Sequence, residues 1–189
     1  MDDNHEIKKS LRTIHNFSDE QLDTFISKLT AKKIYKKEFL LKPSQKCCFM
    51  AFIIKGSFRF YSLTESEEPT LHFFTENNWV ADYKSLVSQQ PTKNFIQALE
   101  DTEVQVISLD DIHLLMEQFP VFRNLASLIN KWVIPSSHHI SISNSSPDDR
   151  YRKLLDEHPE WVNRFPQMYI ASYLGMTKET FSRVKSRVR

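Results

Sequence analysis

The apolar pattern of this 189-residue chain changes period along its length, and that change fixes the fold class more tightly than any single motif. Up to about Leu29 the spacing is helical: Ser18 and Gln21 form a capping box, and Leu22, Phe25, Ile26 and Leu29 make an apolar stripe. From Ile34 to Leu109 come short segments rich in aromatic and β-branched residues, divided by polar clusters: Phe39 to Leu41, Phe49 to Lys55, Ser57 to Leu63, Thr70 to Thr75, Asn94 to Leu99 and Glu103 to Leu109. Short strands at such intervals predict a β-sandwich or jelly roll rather than βαβ units, with a bend at Lys55-Gly56.

The helical period then returns. Asp110 to Gln118 reads as a short helix, and Pro120 opens a longer segment carrying Phe122, Leu125, Leu128, Ile129, Trp132 and Val133. These exceed what one helix buries alone, so they predict a partner, either a second copy of the chain or the β-domain itself. Pro135 removes a backbone donor and stops or kinks the helix near Ile134, and the Ser-rich stretch Ser136 to Ser146 reads as a hinge. Ser146-Pro147-Asp148-Asp149 is a strong helix start, and the helix it opens turns Tyr151, Leu154 and Leu155 inward over Trp161 and Phe165.

The stretch Gln167 to Arg189 has the spacing of two short helices crossing at a steep angle. Ala171 is small enough for the crossing, and Gly175, one of only two glycines, sits where the first helix must end in a left-handed residue. Thr177 caps the second helix and Glu179 lies in its first turn, favourably placed against the helix dipole. Ile170, Leu174, Met176, Phe181, Val184 and Val188 fall inward, which leaves Lys178, Glu179, Ser182, Arg183 and Ser186 outward with the chemistry to meet base edges and phosphates. From Lys178 onward five basic residues, Lys178, Arg183, Lys185, Arg187 and Arg189, oppose the single acid Glu179, an electrostatic footprint for phosphate.

Charge is distributed unevenly. Residues 151–189 hold eight Lys/Arg against four Asp/Glu, leaving 17 against 20 for residues 1–150, so nucleic acid is expected at the C-terminal end only. No apolar run approaches the roughly 20 residues of a membrane span, and the polar start Met1-Asp2-Asp3-Asn4 is no secretory signal, which predicts a cytoplasmic protein. Cys47 and Cys48 are adjacent, as packed thiols or as a redox-sensitive pair, and two cysteines cannot by themselves hold an iron–sulfur cluster. His72 and His113 are the only histidines between residues 16 and 137, too few for a jelly-roll metal enzyme, and no nucleophile–base pair or Gly-rich phosphate loop is evident. No enzyme, catalytic residue, metal site or cofactor is therefore expected.

With a β-rich N-terminal domain, a connecting helix and a terminal helix-turn-helix, the chain resembles the Crp/Fnr family of bacterial transcription regulators over nearly its whole length. The most specific match is Ile170 to Val184. The resemblance implies base contacts from Lys178, Glu179 and Arg183, with Lys178 standing where many members carry Arg and so offering a point charge in place of a bidentate fork. It also implies a homodimer on an inverted-repeat DNA operator and, as a further partner, RNA polymerase. Ser182, Lys185, Ser186, Arg187 and Arg189 complete the expected DNA-binding set.

The effector half departs from the family pattern. Where cyclic-nucleotide-binding members carry Gly-Glu and Arg-Ser or Arg-Thr pairs, this chain has Ala81-Asp82 and Thr92-Lys93. The missing guanidinium predicts that cyclic AMP and cyclic GMP are not ligands, since each charge-assisted hydrogen bond to the phosphate is worth roughly 1.5–3 kcal/mol. A cavity lined by Phe73, Trp79, Tyr83 and Phe95 without positive charge would point to an apolar effector or to none. The chain ends directly after the second helix, so a β-hairpin wing is absent or very short.

The resulting expectation is an α+β protein. It has a jelly-roll effector domain over residues 1–118 with flanking helices, a long connecting and dimerisation helix with its hinge over 119–146, and a helix-turn-helix domain over 147–189. A reading from a different class keeps the β-domain as a small-molecule or protein-binding module beside a vestigial DNA-binding half.

Overall fold

The computed structural model of the protein describes residues 3–65, 67–125 and 145–188. Leu128, Ile129, Trp132, Val133 and Pro135 of the expected connecting helix, the hinge residues up to position 144, and Arg189 lie outside the described residues. The chain divides into two compact units, Met1–Phe60 with Phe73–Val133, and Tyr61–His72 with Ile134–Arg189.

In the first unit α1 (Asp3–Arg12) and α2 (Asp19–Ser27) bury Ile7, Leu11, Leu22 and Phe25. The capping box forms as the sequence predicts: the Ser18 hydroxyl accepts from Gln21 N–H, and the Gln21 side chain accepts from Ser18 N–H at 2.9 Å. The strands that follow are β1 (Thr30–Ile34), β2 (Phe39–Leu41), β3 (Phe49–Lys55), β4 (Phe58–Ser62), β5 (Thr70–Phe74), β6 (Trp79–Val80), β7 (Asn94–Ala98) and β8 (Thr102–Ser108). They form two four-stranded sheets, β1-β8-β3-β6 and β2-β7-β4-β5, the sheets of an antiparallel β-sandwich. Burial of Phe52, Ile53, Phe58, Ile96, Val104 and Ile107 supplies the driving force, at about 25 cal/mol per Å² of apolar surface. Trp79 meets Phe52 and Phe25 edge to face at 5.2 and 5.9 Å, and its indole N–H donates to Ser10 Oγ at 3.1 Å, so α1, α2 and β6 share one core.

The bend at Gly56 is a close approach as well as a turn. Its φ is +95°, and a Cβ there would lie 2.4 Å from Thr102 Oγ1 and 2.9 Å from the Asp101 carbonyl oxygen. Between β6 and β7 runs a six-residue helix, α3 (Tyr83–Ser88), that the apolar spacing does not announce. It begins on the Asp82 side chain and ends at Gln89 in the left-handed region, φ +52°.

Helix α4 (Leu109–Gln118) follows β8, capped by Ser108. Pro120 opens a 3₁₀ turn over Pro120–Asn124 where the sequence predicts the start of a long helix. Phe122 stacks on Phe17 at 5.0 Å and lies 5.9 Å from Phe25, so the first apolar residues of that segment are spent on the core of their own unit.

The second unit contains α5 (Pro147–Glu157), α6 (Trp161–Arg164), α7 (Gln167–Tyr173) and α8 (Lys178–Arg187). Ser146 caps α5 through Asp149 N–H, with Pro147 at its first position. Trp161 centres this core: His158 stacks on it at 3.9 Å, and Tyr173 and His72 meet it edge-on, each at 5.5 Å. Tyr173 is buried, where the sequence reading places only Ile170, Leu174 and Met176 of this segment inside. Burial pushes its hydroxyl pKa well up, and the Glu157 carboxylate adds to the shift.

Candidate functional site

The turn between α7 and α8 is built from backbone hydrogen bonds that only a left-handed residue allows. Gly175, φ +62°, donates to the Ser172 carbonyl at 3.0 Å, and Met176 N–H reaches back to the Ala171 carbonyl at 2.9 Å. This pair of bonds is a Schellman motif, and it satisfies two carbonyls that the end of α7 would otherwise orphan. Thr177 then opens α8, its hydroxyl accepting from Thr180 N–H at 3.2 Å. Two residues therefore suffice to redirect the chain.

Helix α8 divides cleanly by face. Phe181 and Val184 are buried, and Tyr151 of α5 meets Phe181 edge-on at 5.6 Å. Lys178, Glu179, Ser182, Arg183 and Ser186 are exposed on the other side, and Lys185 and Val188 are half-buried. Among the described residues no carboxylate lies within ion-pairing distance of Lys178, Arg183 or Lys185, and Arg183 makes only a 3.3 Å contact to the Thr180 hydroxyl. The Glu179 carboxyl is held below its ordinary range by its own backbone N–H first, then by Thr177, Lys178 and Arg183, so it stays an acceptor at neutral pH. The face can thus donate to acceptor-rich base edges and phosphates and accept from a cytosine amino group.

Arg187 is placed differently from its neighbours. Its Nη2 donates to both carboxylate oxygens of Asp148, at 2.5 and 2.6 Å, so the structure spends on α5 a residue that the sequence reading sets against phosphate. Arg150 of α5 donates from Nη1 to the Leu174 carbonyl at 2.7 Å and to that of Gly175 at 3.3 Å. Neither link is visible from spacing, since the partners stand 39 and 24 residues apart.

In the first unit the four effector positions come together only in part. Asp82 and Thr92 are buried, Ala81 lines a cavity, and Lys93 is exposed. The Asp82 carboxylate is surrounded by the protein's own donors. Thr92 Oγ1 donates to it in a very short bond, Asn94 Nδ2 donates at 2.9 Å, and Ser85 N–H donates at 3.1 Å. Asn94 and Ser85, absent from the sequence reading, complete this cluster. The adjoining cavity is lined by Met50, Phe74, Trp79, Val80, Ala81, Tyr83 and Leu86, with Phe74 and Leu86 in place of the expected Phe73 and Phe95. It holds about 20 Å³, the room of a single water molecule, and no lining residue is charged.

The adjacent thiols differ sharply. Cys47 is buried, and burial pushes its thiol up to about 11, whereas Cys48 is exposed with its Sγ 3.6 Å from Gln89 Oε1. Among the described residues no group of three or more His, Cys, Asp and Glu could hold a metal ion, and no helix is long and apolar enough to cross a membrane.

Comparison with known proteins agrees with this architecture. Residues 31–119 match the family described as Cyclic nucleotide-binding domain. No curated protein matches the chain in sequence. Among solved structures, the chain is similar to FixK2 from Bradyrhizobium japonicum, with a TM-score of 0.70 at 17% identity, covering 85% of this chain and 84% of that one. It is similar to the c-di-GMP responsive global regulator CLP of Xanthomonas campestris, with a TM-score of 0.70 at 12% identity, covering 90% and 91%. A chain from Eubacterium rectale assigned to the Crp/Fnr family of transcriptional regulators gives a TM-score of 0.65 at 17% identity, covering 90% and 83%. Residues 31–119 thus match the cyclic nucleotide-binding domain family, and over 85–90% of its length the chain has the fold of the Crp/Fnr transcription regulators.

Proposed function

We propose that the chain is a sequence-specific, DNA-binding transcription regulator that works as a homodimer and takes no cyclic nucleotide. The observation that carries the reading is the sidedness of α8: Phe181 and Val184 hold it from within, while Lys178, Glu179, Ser182 and Arg183 stand together in solvent. A helix presented this way enters a major groove with its first turns against base edges, and a dimer places two such helices about 34 Å apart. Lys178, Glu179 and Arg183 specify bases, whereas Lys185 and Ser186 steady the protein on phosphates. RNA polymerase is the expected downstream partner, and cytoplasm the expected compartment.

Selection of duplexes from a random-sequence pool by the purified full chain tests this. The expected product is an inverted repeat whose half-sites lie about one helical turn apart, and failure to enrich any repeat overturns the reading. On the selected duplex, Arg183→Ala should cost about 1–3 kcal/mol and relax one base position. Lys185→Ala should weaken all sequences alike and make the salt dependence shallower.

For the sandwich, the reading rests on Asp82. A buried carboxylate that already accepts from Thr92, Asn94 and Ser85 has three of its roughly four acceptor sites taken by the protein itself, which disfavours a ligand there. Cyclic AMP, cyclic GMP and cyclic di-GMP at millimolar concentration should leave the unfolding temperature unchanged. A rise of several degrees with any of them would place an effector here.

A further inference from the structure

We propose that the first turn of α5 sets the angle at which α8 is presented, with Arg150 and Asp148 as positioning residues for DNA recognition. The inference rests on the DNA-binding reading and adds to it residues that touch no DNA.

Helix α8 has little buried surface of its own to hold it. Ten residues make a rod about 15 Å long, and its buried contacts, Phe181 and Val184, lie within a single turn near its middle. A rod gripped at its middle can rock. A tilt of about 10° about that grip carries each end through about 1.3 Å, more than a base-edge hydrogen bond tolerates. Selectivity therefore needs a second and a third anchor, one toward each end.

Helix α5 supplies both from its opening turn, two residues apart. At the leading end, Arg150 Nη1 binds the Leu174 and Gly175 carbonyls, the two residues of the turn from which α8 departs. At the trailing end, Asp148 receives Arg187 Nη2 through both of its oxygens. Ser146 and Pro147 fix that turn of α5 in turn, through the Ser146 cap on Asp149 N–H and the preset φ of proline. Arg150 Nε is buried without a hydrogen-bond partner among the described residues.

Chemistry separates this role from a phosphate contact. Removing a phosphate contact lowers affinity for every duplex and flattens the salt dependence, whereas loosening the helix angle spares non-specific binding and erodes the preference for one sequence.

The test uses the full chain and two probes, the duplex enriched by the wild type and a scrambled duplex of equal length. Arg150→Met keeps the aliphatic stem and removes the donors. It should lower the ratio of selected to scrambled affinity about tenfold, with scrambled-duplex affinity and salt slope held within about twofold, and Arg150→Lys should recover part of the loss. Equal weakening on both duplexes, or an unchanged ratio, overturns the proposal. Arg187→Asp should also lower the ratio, and pairing it with Asp148→Arg should restore it, because the bond is rebuilt in reverse. If Arg187 served phosphate, the reversed pair would leave an acid facing DNA and restore nothing.

An amide spectrum of the free protein keeps the proposal testable should no duplex be enriched. Arg150→Met should shift the Gly175, Met176 and Thr177 signals and spare those around Trp161. Unmoved turn signals overturn the positioning role, whereas shifted turn signals without an enriched duplex support the positioning of α8 and count against DNA as its target.

Discussion

In the sandwich unit the Asp82 carboxylate, 2% exposed, is engaged by Thr92, Asn94 and Ser85, whereas on α8 Lys178, Glu179 and Arg183 stand in solvent and the described residues offer the two cations no ion pair. A buried polar group left unmet costs about 1–3 kcal/mol, and Thr92, Asn94 and Ser85 meet the Asp82 carboxylate here. An exposed helix face carries no such cost, because water serves its charges. The contrast teaches where to look for specificity: in the polar groups the protein leaves unanswered.

The largest expected effect tests whether the tail has its own core. Phe181→Ala removes a fully buried ring that meets Tyr151, and it should cost about 3–5 kcal/mol in the second unit, seen as loss of the Trp161 environment by fluorescence. An effect under about 1 kcal/mol would mean that α8 is not held as described. Next come the thiols. Iodoacetamide at pH 8 should alkylate Cys48 and leave Cys47, whose pKa of about 11 against the usual 9 cuts its thiolate fraction about 100-fold, before any steric shielding. Mass spectrometry should find one adduct on the folded chain and two after denaturation. The same shift makes the folded state favour the neutral thiol, so its contribution is complete below pH 9 and is lost as pH rises toward 11.

Asp82→Ala should destabilise the sandwich by about 1–3 kcal/mol, since it strips the cap from α3 and leaves Thr92 and Asn94 without their acceptor. Binding of the selected duplex should change little, and a comparable loss of DNA affinity would show that the two regions are not separable. The smallest effect is acid titration. Asp149 is held below its ordinary 3.8 by the Ser146 hydroxyl and then Arg152, and Glu179 below its ordinary 4.5 by its own backbone N–H and Thr177. Folded pKa values below the unfolded ones stabilise at higher pH, so both contributions are present above these values and fade as pH falls through the lowered ones. Melting curves between pH 5 and pH 2.5 should flatten slightly in Asp149→Asn and Glu179→Gln.

Sequence made local structure legible where one residue acts on its neighbours. The caps at Ser18, Ser146 and Thr177 and the left-handed Gly175 each form as their side chains require. The aromatic segments become strands within a residue or two, because burial on a sheet is written in their composition. What escaped was set by distant partners. Strand β1 reads Thr-Ala-Lys-Lys-Ile with only its last residue buried, so no alternation announces it, and its strand character comes from pairing with β8 some 70 residues later. Helix α3 is too short for a period and depends on Asp82. At the effector positions, spacing located Asp82 and Thr92 but not the bond between them, nor Asn94 and Ser85. On α8 it named the outward residues but not the bond from Arg187 to Asp148, which lies on another helix.

The two glycines divide the labour of making these units, and they differ in what evolution can do with them. At Gly56 any Cβ meets Thr102 and the Asp101 carbonyl at 2.4–2.9 Å, so every alternative codon collides with backbone. Gly175 needs only a left-handed φ of +62°, which asparagine adopts at modest expense. A library of random codons screened for surviving chains should therefore show a complete gap at position 56 and a narrow asparagine exception at position 175, a mutational signature of a rigid corner in one half and a merely turned one in the other.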